Sequence, residues 1–189
     1  MVDRDRIVGE TAGMRIMLRL TIDCDADAAW RALHSPRALA ELDGPFLTLD
    51  TLDTLPTSWT PGDDAVVGLA MGPLPLGRQL IDISEIVREH DGQHVRILRD
   101  SGIPLSGPLA ALDVWDHQMA VSPAPGDRTL WRERLVIGGR AAPALWPVLW
   151  TIWQWRAARI RALAPTWAHD PEPPAHPEPP ARPEPPAPE

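Results

Sequence analysis

Lysine and tyrosine are absent from this 189-residue chain, and phenylalanine and cysteine occur once each. Without lysine, all 18 cations are arginines, which reads as genomic composition bias before any function. Set against 26 acids they leave a net charge of -8, half of it in residues 168–189, so no basic field exists to attract nucleic acid. The single cysteine, Cys24, excludes an internal disulfide and a cysteine metal cluster, and it suits a reducing compartment. Its neighbours Asp23 and Asp25 disfavour the thiolate, so no nucleophilic role is assigned to it. Long apolar runs are missing as well. The longest, residues 141–153, is too short to span a bilayer, and residues 1–13 carry charges and glycine where a signal peptide needs an apolar core. A cytoplasmic protein without stable membrane insertion is expected. No P-loop, dinucleotide glycine pattern, serine elbow or zinc pattern occurs, so neither cofactor nor metal is expected. His90 and His94 have a metal-like spacing, but they flank an Asp91-Gly92 turn without a third ligand and read as surface residues.

What is present is tryptophan, nine in all, four of them within the stretch APALWPVLWTIWQWRAARIRALA at residues 142–164. At 100° per residue Trp146, Trp150, Trp153, Ala157, Ile160 and Ala164 fall on one stripe with Leu149 at its edge, while Trp155 lies opposite beside Val148 and Ile152. Pro143 or Pro147 marks a first-turn position, Arg156, Arg159 and Arg161 occupy the last turns, and Pro165 is the expected stop. An aromatic stripe of this kind predicts the wall of a cavity or a membrane-facing surface.

Ahead of this helix, residues 14–22 alternate as a half-buried strand, with Ile16, Leu18, Leu20 and Ile22 on one face. Asp23 or Asp25 caps a short helix bearing Ala29, Trp30 and Leu33, and Ser35-Pro36 opens a second that ends at Asp43-Gly44-Pro45. Beyond Pro45 the period becomes two. Strands are predicted near residues 46–53, 64–70, 78–89, 94–101, 109–122 and 129–138, joined by turns at Asp91-Gly92 and at residues 122–127 (SPAPGD). Two further links, at residues 71–77 (MGPLPLG) and 101–109 (SGIPLSGPL), are rich in apolar residues and read either as a pocket rim or as loops folded onto the sheet. The chain therefore divides into an N-terminal arm at 1–13, one α+β domain at 14–167, and a tail at 168–189. That tail repeats PEPPAH, PEPPAR and PEPPAP and reads as a disordered polyproline II spacer, open to a weak partner or a second copy of the chain.

The element order, with IDCDADAAWRALHSPRALAEL at residues 22–42 and a long terminal helix, resembles the START-like superfamily, also called SRPBCC or helix-grip proteins. The resemblance implies a curved antiparallel sheet of about seven strands wrapped around the C-terminal helix. Between the two it implies an apolar cavity, used across the family for lipid or hormone carriage and for polyketide cyclisation in bacterial and other proteins. This chain departs in using tryptophan for its aromatic lining.

Candidate site residues follow from strand phase. Trp115, His117 and Met119 share one face of the penultimate strand, and Trp131 and Glu133 one face of the last; pairing about the SPAPGD turn sets His117 opposite Glu133 and Met119 opposite Trp131. A carboxylate holding an imidazole on an aromatic surface is the arrangement of a general base, or else a pair that satisfies itself. Glu85 interrupts the apolar face of Ile81, Ile83 and Val87, as a cavity group or a strand-end charge. Arg99, in phase with Val95 and Ile97, is a partner for an acidic headgroup or a solvated cation. The expected ligand contacts are thus Trp115, Met119, Trp131, Trp146, Leu149, Trp150, Trp153, Glu85 and Arg99. Three functions suit them: binding of a hydrophobic lipid or polyketide-like molecule, a cyclase, dehydratase or isomerase using His117 and Glu133, and a membrane or protein docking module built on the tryptophan helix.

Overall fold

The computed structural model describes residues 13–45, 48–51, 55–90 and 92–167; residues 1–12 of the N-terminal arm, the tail, Asp91 and the ends of the strand predicted at 46–53 lie outside them. Strand β1 (Met14–Ile22) buries Ile16, Leu18, Leu20 and Ile22 and turns Arg15, Met17, Arg19 and Thr21 outward. Helix α1 (Ala26–His34) is capped by Asp25, whose carboxylate accepts from the backbone N–H groups of Asp27 and Ala28. Helix α2 (Pro36–Asp43) starts with Ser35 Oγ accepting from Ala38 N and with proline in its first turn. Six strands follow: β2 (Thr48–Thr51), β3 (Asp64–Met71), β4 (Leu74–His90), β5 (Gln93–Asp100), β6 (Val114–Ala124) and β7 (Arg128–Gly138). The chain closes with helix α3 (Ala142–Trp167). All pairings are antiparallel and the order is β1-β7-β6-β5-β4-β3-β2, so β2 to β7 form a meander and β1 joins at the end of it.

The inner face of this sheet is apolar and has to be covered, and α3 is the element long enough to do so. It packs on β1 and β7 and against α1 and α2. Ile160 and Ala164 of α3, with Trp131, Leu135 and Ile137 of β7, are fully buried between the layers. The link into α3 is tight: Gly139 sits at φ 100°, and a Cβ there would meet Asp113 N at 2.9 Å.

Four expectations are corrected. Residues 108–111 form a 3-10 turn, so β6 begins at Val114 and not near Leu109. Pro165 does not stop α3, because a proline in the last turn forfeits a single hydrogen bond; the helix reaches Trp167, with Thr166 Oγ1 donating to Leu163 O. The last hairpin turns about Gly126, in the left-handed region with Asp127, pairing Ala124 with Arg128. His117 is therefore opposite Leu135 and Met119 opposite Glu133. Helix α3 is also rotated from its expected stripe: Leu149, Trp153, Arg156, Ile160, Ala164 and Trp167 are buried, whereas Trp150 is 45% exposed.

That rotation is testable by urea unfolding. Ile160→Ala is expected to cost about 2–5 kcal/mol. Trp150→Ala, at a half-exposed side chain stacked on Trp146 at 6.4 Å between rings, is expected to cost under about 1.5 kcal/mol.

Candidate functional site: an apolar cavity with a charged floor

Between the inner face of the sheet and the first half of α3 lies a cavity of about 180 Å³, roughly ten times the space that one buried water needs. Strands β3 and β4 contribute Val67, Leu69, Ile81 and Ile83, and α3 contributes Leu145, Val148, Leu149 and Ile152. Its rim carries Met71, Leu76, Pro108 and Leu109 from the two apolar links. These links are also packed on each other, since a Cβ on Gly107 would overlap the carbonyl oxygen of Leu76. Both readings of them thus hold together. Trp115 and Trp153 meet edge to face at 6.4 Å, and His117 lies 5.2 Å from the Trp153 ring.

Five polar side chains line it: Asp43 from the end of α2, Asp100 from β5, His117 from β6, Arg156 from α3 and, four residues along β4 from the partner of Asp100, Gln79. Arg156 is the hub. Its Nε donates to Glu133 Oε1 and Oε2 at 3.0 and 3.1 Å, its Nη1 donates to Asp43 Oδ1 at 2.5 Å, and its Nη2 approaches Met119 Sδ at 3.5 Å. Glu133, 2% exposed, also accepts from the Trp131 indole at 3.1 Å and has His117 Nε2 at 3.4 Å from Oε2.

Burial raises the pKa of Glu133, but Arg156 and His117 overcome it and hold the carboxyl at about 2. For Asp43 burial wins over Arg156, with Glu133 adding repulsion, and its pKa is raised. Asp100 is raised too: burial outweighs the N–H donors of Asp82 and Gly102, the neighbouring His117 and the Trp115 indole. Arg156 loses to burial but gains more from Glu133 and Asp43, and stays charged.

The sequence-predicted residues divide accordingly. Trp115, His117, Met119, Leu149 and Trp153 line the cavity. Glu133 and Trp131 stand behind it, Trp131 packed on Trp167 at 5.6 Å. Trp146 and Trp150 lie outside, the Trp146 indole donating to Arg15 O at 3.0 Å. Glu85 lies apart from the cavity lining, its Oε1 2.9 Å from His34 Nε2. Arg99 is on the opposite face of the sheet, where it and Arg134 hold Asp116 at 2.6 and 3.1 Å. Asp43, Gln79, Asp100 and Arg156 are site residues that sequence reasoning misses. The signal for Asp100 is its alternation with Leu98; for Arg156 it is the spacing of three from Trp153 and four from Ile160. Burial pushes the Cys24 thiol up to about 11, with Asp25 adding to it. Among the described residues no group of three His, Cys, Asp or Glu is placed to hold a metal, and no helix is long and apolar enough to cross a membrane.

No protein-family model matches the sequence, and no curated protein matches it in sequence. Solved structures do match the fold. Norcoclaurine synthase from Thalictrum flavum, solved with dopamine and hydroxybenzaldehyde, aligns at 15% identity and a TM-score of 0.57 over 86% of this chain and 91% of that one. Ara h 8.0201 aligns at 9% identity and 0.53, over 82% and 99%. A protein from Mycobacterium smegmatis aligns at 16% and 0.51, over 79% and 89%. This chain has the helix-grip fold, an α+β class of curved antiparallel sheet around a terminal helix.

Because folding depresses the Glu133 pKa from 4.5 to about 2, its ionised form stabilises the protein above pH 4.5, and that contribution is lost as pH falls through this interval. Glu133→Gln is expected to cost about 3 kcal/mol at pH 7. Chemical denaturation of both proteins is expected to show this difference shrinking between about pH 5 and pH 2.

Proposed function

We propose that the domain binds a hydrophobic or aromatic small molecule, lipid-like or polyketide-like, in the cavity between the sheet and α3. The observation that carries this reading is the make-up of its wall: leucine, isoleucine, valine, methionine and tryptophan predominate, and Asp43, His117 and Arg156 are linked through Glu133 with Asp100 across from His117. A site of that kind takes an apolar body and orients one polar end. Norcoclaurine synthase, which shares the fold and was solved with two small aromatic molecules, supports the same class of occupant.

A second reading is a proton-transfer enzyme of the cyclase, dehydratase or isomerase kind. The position of His117 favours it, since the imidazole lines the cavity and touches Glu133. Here Glu133 acts as a positioning residue, because a carboxyl held at about 2 by Arg156 is a weak base; His117 is the group that meets the substrate. The docking reading keeps only the exposed Val148 and Trp150 on α3.

Uptake of the neutral fluorophore 1-N-phenylnaphthylamine tests the main reading. Ile81→Trp fills the cavity from the sheet side and is expected to weaken binding by about tenfold or more. Trp150→Ala is expected to leave it within about twofold. Unchanged affinity in a folded Ile81→Trp variant, or loss in Trp150→Ala, contradicts a ligand between sheet and helix.

A further inference from the structure

We propose that this cavity selects ligands whose polar end is a hydrogen-bond donor, an amine or a hydroxyl, and rejects ligands that end in a carboxylate. The inference rests on the ligand-binding reading and specifies its ligand class.

A carboxylate entering an apolar cavity has to leave water, and it is stable there only beside a cation with a free donor face. The floor has one fixed cation, Arg156, and its charge is already met by two carboxylates. Glu133 takes Nε, Asp43 takes Nη1, and Nη2 rests on the Met119 sulfur, with the side chain 4% exposed. No lysine exists anywhere in the chain to supply another. Arg99, the arginine that strand phase offers for an acidic headgroup, is held by Asp116 on the other face of the sheet. The groups in and directly behind the floor are three carboxyl groups, Asp43, Asp100 and Glu133, against one guanidinium and one imidazole.

Asp100, beside which the Trp115 indole also lies, is the carboxyl group of the floor that no arginine holds. It is 8% exposed, lines the cavity, and forms no ion pair with an arginine among the described residues. The backbone N–H groups that reach it, from Asp82 at 3.1 Å and Gly102 at 3.0 Å, both end on Oδ1. His117 stands directly across from it in the β5–β6 register, so an imidazole flanks whatever binds there. The raised pKa values of Asp43 and Asp100 follow first from burial, to which Glu133 adds repulsion at Asp43. A further anion adds to that repulsion; an ammonium relieves it, and a hydroxyl donates without changing it.

Isothermal titration of the full chain at pH 7 with three ligands sharing one naphthalene body separates these outcomes. The ligands are 2-(2-naphthyl)ethylamine, 2-(2-naphthyl)ethanol and 2-naphthylacetate. The amine and the alcohol are expected to bind at least about tenfold more tightly than the acetate. Asp100→Asn, which keeps an oxygen for the two backbone donors, is expected to reduce the amine-to-acetate ratio at least about fivefold. Acetate binding as tight as the alcohol overturns the selectivity, as does an unchanged ratio in a folded Asp100→Asn protein. Uptake of phenylnaphthylamine without binding of the amine or the alcohol also overturns it, while leaving the cavity standing. Failure of every ligand, phenylnaphthylamine included, overturns the binding reading itself.

Discussion

A guanidinium clamped between two carboxylates decides how this molecule is put together. Arg156 belongs to the terminal helix, Glu133 to the last strand and Asp43 to the end of the second short helix, so one side chain joins three elements that are far apart in sequence. Burying such a group is costly, and the cost is offset only if its donors are met together. That requirement sets the rotation of α3 about its own axis. With Arg156 turned inward, Trp153 and Leu149 follow one and two turns earlier on the same face, and Trp150 is carried to the surface. The Trp155 indole, donating to Gly44 O at 3.0 Å, and Arg159, donating to Glu41 O, fix the same rotation from the flank.

The cavity is a consequence of this arrangement. Towards its C-terminus α3 packs on β1 and β7 with small and branched side chains, Ala157, Ile160 and Ala164, which let the layers close. Towards its N-terminus it faces β3 to β6 across Leu145, Val148 and Ile152, and there the layers stand apart. The polar floor lies where the closed half meets the open half.

Much of the fold was legible from local chemistry. The alternation in residues 14–22, the caps at Asp25 and Ser35, the meander and the long closing helix all rest on signals confined to a few neighbouring residues. The site was legible only in part. Placing Trp115, His117 and Met119 on the inner face needs nothing but a period of two. The His117 register needs the turn centre, and the left-handed pair Gly126-Asp127 moves it by two positions. The phase of β5 is ambiguous because Ile97 and Leu98 are both buried, so alternation points to Arg99 where the fold uses Asp100. The rotation of α3 is hidden for a stronger reason. An arginine counts as polar in any hydrophobic pattern, and only its two distant partners make its burial favourable.

If the cavity is the binding site, a ligand sits against Trp115 and Trp153, above the Arg156 cluster, and not on the outer face of α3. The indole N–H resonances of the nine tryptophans report this directly, once assigned by single replacements. Titration with 2-(2-naphthyl)ethanol is predicted to move the Trp115 and Trp153 signals and to leave those of Trp146 and Trp150 in place. Shifts confined to Trp146 and Trp150 would contradict a ligand between the layers and make the exposed helix face the binding surface.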